Sequence, residues 1–555
     1  MHLSAFRPWM LCLGALTAAT ADQENWQSVL AEGKAKDYAR ACPDYKKYST
    51  FVHQPLSEGP MSLPFQRPAI LCRTFNSPLV EKVIEDITGK MVDKDLARLF
   101  ENAFPNTLDT TVRWHVDGTS KHTELKARGL KDEGKWEGPH SFVVTGDINA
   151  EWLRDSTNQL LQYQPLAKKD KQIFNLILGA INTQSEYVIE SPYCNAFQPP
   201  PGSKLPPSQN GQDDNVHPAY EPSVVFECKY ELDSLAHFLA LGNTFYKHTG
   251  SLAFLTPRWY KALDTVLAVI DQQSQSTFDP TTGRFEKNSY TFSRKTDAGT
   301  ETLSLGGVGN PLNYGTGLVR SAFRPSDDAT ILGFYIPANA QMAVELKRAS
   351  EVLKKANKLA LSQTLEKRAT AITDGIWEYG VIQHKKYGRV FAYEVDGYGS
   401  QILMDDANVP SLLALPIMGF VDKDHQVYKN TRKMLLEKSG NPYYLQGHAF
   451  HGIGGKFLYF DIGPHIGLEY AWPMSLLLQA MTSDDDKEIK ECIELVLRAS
   501  KLGLVHESIN VNRILDYTRS WFAWANSVFA QTILDLAKRK PHLLFGEGAE
   551  PYIIE

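Results

Sequence analysis

Two adjacent carboxylates, Asp327 and Asp328, sit in S-A-F-R-P-S-D-D-A-T (Ser321 to Thr330), ahead of an apolar-periodic segment that predicts a helix from Ala329 to Leu353 and beyond. Acids at a helix start have a structural explanation: Ser and Asp satisfy the first N–H groups and suit the positive end of the helix dipole. The chemical alternative is that one of them is an acid whose partner carboxylate lies far away in sequence. Other acidic motifs with aromatic neighbours offer such partners. They are G-D-I-N-A-E-W-L-R-D-S (146–156), K-Y-E-L-D-S-L (229–235), E-V-D-G-Y-G (394–399), M-D-D-A-N-V-P-S-L-L (404–413) and H-E-S-I-N-V (506–511). Sugar recognition needs this combination: carboxylates and amides for paired hydroxyls, aromatic faces for the C–H side of the ring. Glycoside cleavage further needs two carboxyls flanking the scissile bond, one of them kept protonated.

Each motif also has a plainer role open to it. Asp147 and Asp155 can cap helices or pair with Arg154, and Asp233 falls inside a helical pattern that suits a buried hydrogen bond. Asp405 and Asp406 precede A-N-V-P and can form a turn, while Arg513 or Arg519 can neutralise Glu507. Periodicity does not choose the pair. Other chemistries are less well served. There is no G-x-S-x-G elbow, H-E-x-x-H or phosphate-binding loop, and the Gly clusters at 306–309 and 452–455 read as turns.

The elements that must position these motifs are mostly helical. Helical periodicity starts at Asp93, with Leu96, Leu99, Phe100 and Phe104 in phase. Further helices are expected near 168–190, 230–248, 252–273, 329–355, 359–380, 406–417, 423–438, 467–482, 485–502 and 520–539. Asp117 to Gly138 reads as a polar surface insertion, and Gln198–Pro222 and Thr277–Leu318 as long loops. Tyr387–Glu394 and Gln401–Met404 flank D-G-Y-G as a hairpin. β-branched strands between the helices are largely missing. A helical toroid therefore fits better than a parallel sheet.

The 555 residues are 43% hydrophobic and 22% charged, with a net charge of −6, an ordinary globular balance that predicts neither nucleic-acid binding nor membrane adsorption. Arg7, the apolar run Met10 to Ala19 and Ala19-Thr20-Ala21 predict a signal peptide over 1–21 and a protein of the secretory pathway, secreted or held in the endoplasmic reticulum or Golgi lumen. A Pro-containing lead-in follows over 22–88, then a catalytic domain over 89–540 and a tail over 541–555. With Cys12 in the signal, Cys42 and Cys72 are the first disulfide candidates and Cys194 with Cys228 the second. No N-x-S/T sequon is present. Nothing in the sequence sets an oligomeric state, and a monomer is the default expectation.

W-L-R-D-S, F-R-P-S-D-D-A, M-D-D-A-N-V-P-S-L-L and T-R-S-W-F-A-W-A-N-S, in this order, give the chain its resemblance. Over about residues 91–538 it resembles glycoside hydrolase family 125, the exo-α-1,6-mannosidases, and more closely the fungal secretory members. That resemblance implies an (α/α)6 barrel and inverting removal of terminal α-1,6-linked mannose from N-glycans or mannan, with no metal and no cofactor. It implies Asp327 as general acid and Glu507 as general base, with Arg154 and Asp155 as sugar ligands. Asp328, Asp406 and Asn408 are added by weaker inference, and Asp328 is expected to raise the pKa of Asp327. The chain also departs from the family pattern. Glu151 replaces a Met typical of bacterial members and is expected to add a charge near the subsite. Residues 457–474 match only loosely, and the lead-in, insertion and Pro-rich loop are extra. Two alternatives stand beside this reading: a toroid glycosidase of another linkage, and a glycan-binding protein without catalysis.

Overall fold

In the computed structural model, residues 42–118, 135–454 and 469–554 are described. The expected signal peptide, most of the polar insertion and most of the 457–474 segment lie outside the described residues.

Among the described residues, twelve helices build the ring: α1 Lys94–Ala103, α2 Leu153–Leu160, α3 Lys171–Glu190, α4 Leu232–Thr249, α5 Pro257–Gln273, α6 Ile336–Lys355, α7 Leu359–Tyr379, α8 Leu415–Met418, α9 Gln426–Leu435, α10 Pro473–Met481, α11 Asp486–Ala499 and α12 Ala523–Arg539. Inner and outer helices differ in sequence. Every residue of α2 is buried. In α11, Ile489, Cys492, Ile493 and Val496 are buried while Lys487, Lys490, Glu491 and Glu494 face water, the one-sided stripe of an outer helix. α2 packs on α4, α4 on α6, α6 on α8, α10 on α12 and α12 on α2. All six even-numbered helices line one cavity of about 530 Å³ that opens to solvent at Arg348, Glu351 and Lys355, through Asn158, His237, Gln341, Met418, Leu478 and Gln531 among others. This is the (α/α)6 arrangement expected from the sequence. The remaining strands are two to five residues long and pair in small antiparallel sheets between helices.

Helix starts differ in how they are capped. The outer helices α1, α3, α5 and α11 are capped by side chains of Asp93, Asp170, Thr256 and Asp485, which accept from backbone N–H groups of the first turn, while α7 and α9 have no side-chain cap. Five inner helices enter instead from Trp152, Glu231, Tyr335, Trp472 and Phe522, and none of these makes a side-chain cap. Large rings and acids are thereby placed at one end of the barrel.

Several expected helices are shorter than the sequence suggests, among them 423–438, observed as α9, and 467–482, observed as α10. α6 begins at Ile336 rather than Ala329, because Ala329 bridges to Phe323 and Phe334–Tyr335 pairs as a strand with Glu394–Val395. Asp327 therefore sits in a turn, at φ 67°, a left-handed conformation that Asp tolerates better than most residues. The helix expected over 406–417 is reduced to α8, since Asp405 accepts the N–H groups of Leu412 and Leu413, both at 2.9 Å, and holds the chain in a turn. The D-G-Y-G hairpin pairs Glu394–Val395 with Gln401–Ile402, while Gly388–Phe391 pairs with Val381–His384.

Disulfides join Cys42 to Cys72 and Cys194 to Cys228; Cys492 is a buried free thiol. The lead-in packs onto the ring. Asn102 of α1 donates to Pro64 O at 2.9 Å and to Gly503 O at 2.8 Å, and Tyr45 stands edge-on to Trp521 at 4.9 Å. Among the described residues no helix is long and apolar enough to cross a membrane.

Candidate active site

A cavity of about 170 Å³ opens where the inner helices begin. Its walls include Trp152, Trp472, Phe522 and Trp524 and the charged groups Arg154, Asp155, Asp327 and Glu507. Asp327 and Glu507 come from loops 180 positions apart and meet here only because the ring closes.

Arg154 organises one wall from the first turn of α2. Its Nη1 lies 2.5 Å from Glu231 Oε2 and 3.4 Å from Asp233 Oδ2, its Nε lies 3.3 Å from Asp155, and its guanidinium faces Trp524 at 5.3 Å. Three carboxylates around one buried cation leave an excess of acid. Burial raises the Asp155 carboxyl to about 7 against the pull of Arg154, with Asp327 adding to the rise. Asp233 is raised by the same cause to about 6.

Glu507 lines the same cavity. Its Oε2 accepts from Thr518 Oγ1 at 2.9 Å and from Arg519 Nε at 3.1 Å, and Arg519 also pairs with Asp147. Burial lifts Glu507 above the usual carboxylate range, while Arg519 and Thr518 favour its charged form. Of the two arginines weighed from sequence, Arg519 is the partner; Arg513 pairs with Asp516. His506 is held by the Arg519 carbonyl at 2.8 Å, and burial lowers it to about 4, so it is neutral at ordinary pH.

Asp327 is the more accessible acid, its side chain 27% exposed, with Lys229 Nζ at 3.6 Å. Asp328, Asp406 and Asn408 do not line the cavity. They are buried behind the acid loop, where Asp406 Oδ1 accepts from Ala407 N at 2.8 Å and Asn408 Nδ2 at 3.0 Å. Burial and Asp406 raise Asp328 well above its usual value against Arg324, which favours its charge. Glu151 does not bring the charge expected of it. It is fully buried, accepts from Val143 N at 3.2 Å and is raised by burial to about 8, so it adds a neutral acid beneath the site rather than a charge.

Sequence reasoning missed Lys229, Glu227, Arg294 and the contribution of the Pro-rich loop, which brings Asn210 and Gln212 to the cavity. The only signal for Lys229 was a lysine inside an acidic, aromatic motif. Trp472 and Trp524 follow from the inner-helix pattern only once the ring is known. Among the described residues no group of three or more His, Cys, Asp or Glu side chains is placed to hold a metal ion.

Residues 93–534 match the family described as "Metal-independent alpha-mannosidase (GH125)". The chain is 53% identical over 506 residues to the meiotically up-regulated gene 157 protein of Schizosaccharomyces pombe, covering 91% of this chain and 94% of that one. It is also similar, at 30% identity and a TM-score of 0.70, to a metal-independent α-mannosidase of Streptococcus pneumoniae solved in a non-productive complex with α-1,6-mannobiose, a match covering 83% of this chain and 99% of that chain. With its ring of paired helices and its acid-lined mouth, the chain belongs to glycoside hydrolase family 125, the metal-independent α-mannosidases.

Proposed function

We propose that this α-mannosidase removes terminal α-1,6-linked mannose from N-glycans or mannan with inversion, Asp327 acting as general acid and Glu507 as general base. The observation that carries the reading is the placement of these two carboxyls in one small aromatic-walled cavity in unlike surroundings. Glu507 has a cation and a hydroxyl on a single oxygen, which suits the ionised form a base needs. Asp327 is the more exposed of the two and is open to a leaving group entering the cleft. The proton of Asp327 passes to the glycosidic oxygen as the C–O bond breaks. Water attacks the anomeric carbon from the other face and gives its proton to Glu507. Arg154 and Asp155 hold hydroxyls of the sugar, backed by Glu231 and Asp233, and the ring stacks among the Trp side chains. The α-1,6 linkage is supported by the mannobiose carried by the pneumococcal relative. Two disulfides and the leader-like start support maturation in an oxidising secretory compartment.

The test is proton NMR of α-1,6-, α-1,3- and α-1,2-mannobiose hydrolysis from the first minutes. Early β-mannose from the α-1,6 substrate alone is expected; early α-mannose removes the inverting role of Glu507. Asp327→Asn is expected to cut kcat/KM for mannobiose by about 10³-fold while sparing 2,4-dinitrophenyl α-mannoside, whose leaving group needs no proton. Glu507→Gln is expected to lose both.

A further inference from the structure

Five side chains of alternating charge run from Asp214, outside the cleft lining, to Asp327. Asp214, on the strand Asp214–His217, grips Arg294 with two contacts of 2.6 and 2.9 Å. Arg294 Nη2 lies 3.8 Å from Glu227 Oε1, and Lys229 Nζ lies 3.1 Å from that same oxygen and 3.6 Å from Asp327 Oδ1. Burial raises the Glu227 carboxyl while Lys229 and Arg294 favour its charge, and with Glu227 ionised, Asp214 and Glu227 offset Arg294 and Lys229 one for one. The row is therefore neutral while Asp327 holds a proton and carries one negative charge when Asp327 gives it up. Lys229 is buried, its ammonium 5.5 Å from the Phe323 ring. Burial works against its charge, but Asp327 and Glu227 together raise it above the ordinary lysine range, so it stays a cation.

A fixed cation touching a general acid is a hazard, because it favours the spent, ionised form. Glu227, in contact with the same ammonium, cancels that effect. We propose that Lys229 and Glu227 act as a pair of positioning residues, Lys229 fixing the Asp327 carboxyl against the leaving-group side of the cleft and Glu227 absorbing the charge that would otherwise keep Asp327 from holding its proton. This rests on Asp327 being the acid. Other charged groups act on Asp327: Arg154 and Asp155 from α2, Glu231 and Asp233 at the start of α4, and Arg519 ahead of α12. They are common to all the variants below, so differences between variants report the pair alone.

The experiment measures kcat/KM against pH for the full chain, with α-1,6-mannobiose and with 2,4-dinitrophenyl α-mannoside. Glu227→Gln leaves Lys229 to face Asp327 alone, so the alkaline limb for mannobiose is expected to move to lower pH by about one unit. Lys229→Met is expected to move it the other way. Both should change the dinitrophenyl substrate much less. Opposite shifts are something a loss of packing does not produce. The inference is overturned if both variants lower kcat/KM by a constant factor with the limb unmoved, or shift it in one direction. Should Lys229→Met fail to fold, the isosteric Glu227→Gln decides by the sign of its shift alone. Asp327→Asn separates the two claims. If it still hydrolyses mannobiose at full rate, the acid assignment falls; if it loses mannobiose while Glu227→Gln leaves the limb in place, only the pairing falls.

Discussion

Glu151 shows what burial does to a single carboxyl here. Beneath the cleft, burial raises it from 4.5 to about 8 although Ser156, Val143 N and Gln184 favour its charged form. Because its folded value lies above its unfolded value, the stability it contributes is complete below pH 4.5 and is lost as pH rises through about 8. Asp405, raised to about 8 by burial, adds to the same slope. The expected outcome is a melting temperature that falls between about pH 5 and about pH 9 in the native chain, and falls less in Glu151→Gln, which keeps the shape and removes the proton. An equal fall in both proteins would mean that Glu151 is not the group being titrated. The sequence showed a Glu beside W-L-R-D-S and suggested a local charge. Only packing against Val143 and α2 makes it a neutral acid.

At the scale of elements, the turn that presents Asp327 is held from outside itself. Arg324 and Glu394 are both fully buried and meet at 2.6 Å, and the other Glu394 oxygen accepts from Ile331 N at 3.0 Å and Leu332 N at 2.9 Å. The short strand Glu394–Val395, paired on both sides, thus fixes both ends of the acid loop. Glu394→Ala leaves a buried guanidinium without its carboxylate and is expected to cost about 3–5 kcal/mol. A thermal or denaturant melt reads that loss, and mannobiose turnover should fall with it. Glu394→Gln, which still accepts the two N–H groups, should lose less on both counts. The sequence marked E-V-D-G-Y-G as a hairpin with an acid in it, but its partner stands 70 residues earlier. No local pattern connects them.

Across the whole molecule, the described part of the lead-in, from Cys42 on, packs onto the catalytic ring. Arg67 sits between Glu81 and Asp109 at 2.6 and 2.7 Å, and Ser49 meets Ser520 at 2.8 Å, next to the Arg519 that holds Glu507. The C-terminal tail returns as well, with Tyr552 N donating to Ala537 O at 2.9 Å. Calorimetry of the mature chain should therefore show one transition, and removing the residues before Arg73 should lower it and weaken turnover. A separate low-temperature transition that leaves activity intact would show the lead-in to be independent.

The helical class, the approximate place of nearly every ring helix and the motifs that put the chain in its family can all be read along the chain. These are local properties: apolar spacing along a helix and short runs of residues around a site. The tertiary structure decided which charges meet. It set Asp328, Asp406 and Asn408 behind the cleft, started α6 seven residues later than periodicity implied, and gave Asp327 a lysine neighbour from a segment about a hundred residues earlier. The physical reason is that a buried charge takes its state from whatever the closed ring brings within a few ångströms, and periodicity along the chain carries no record of that.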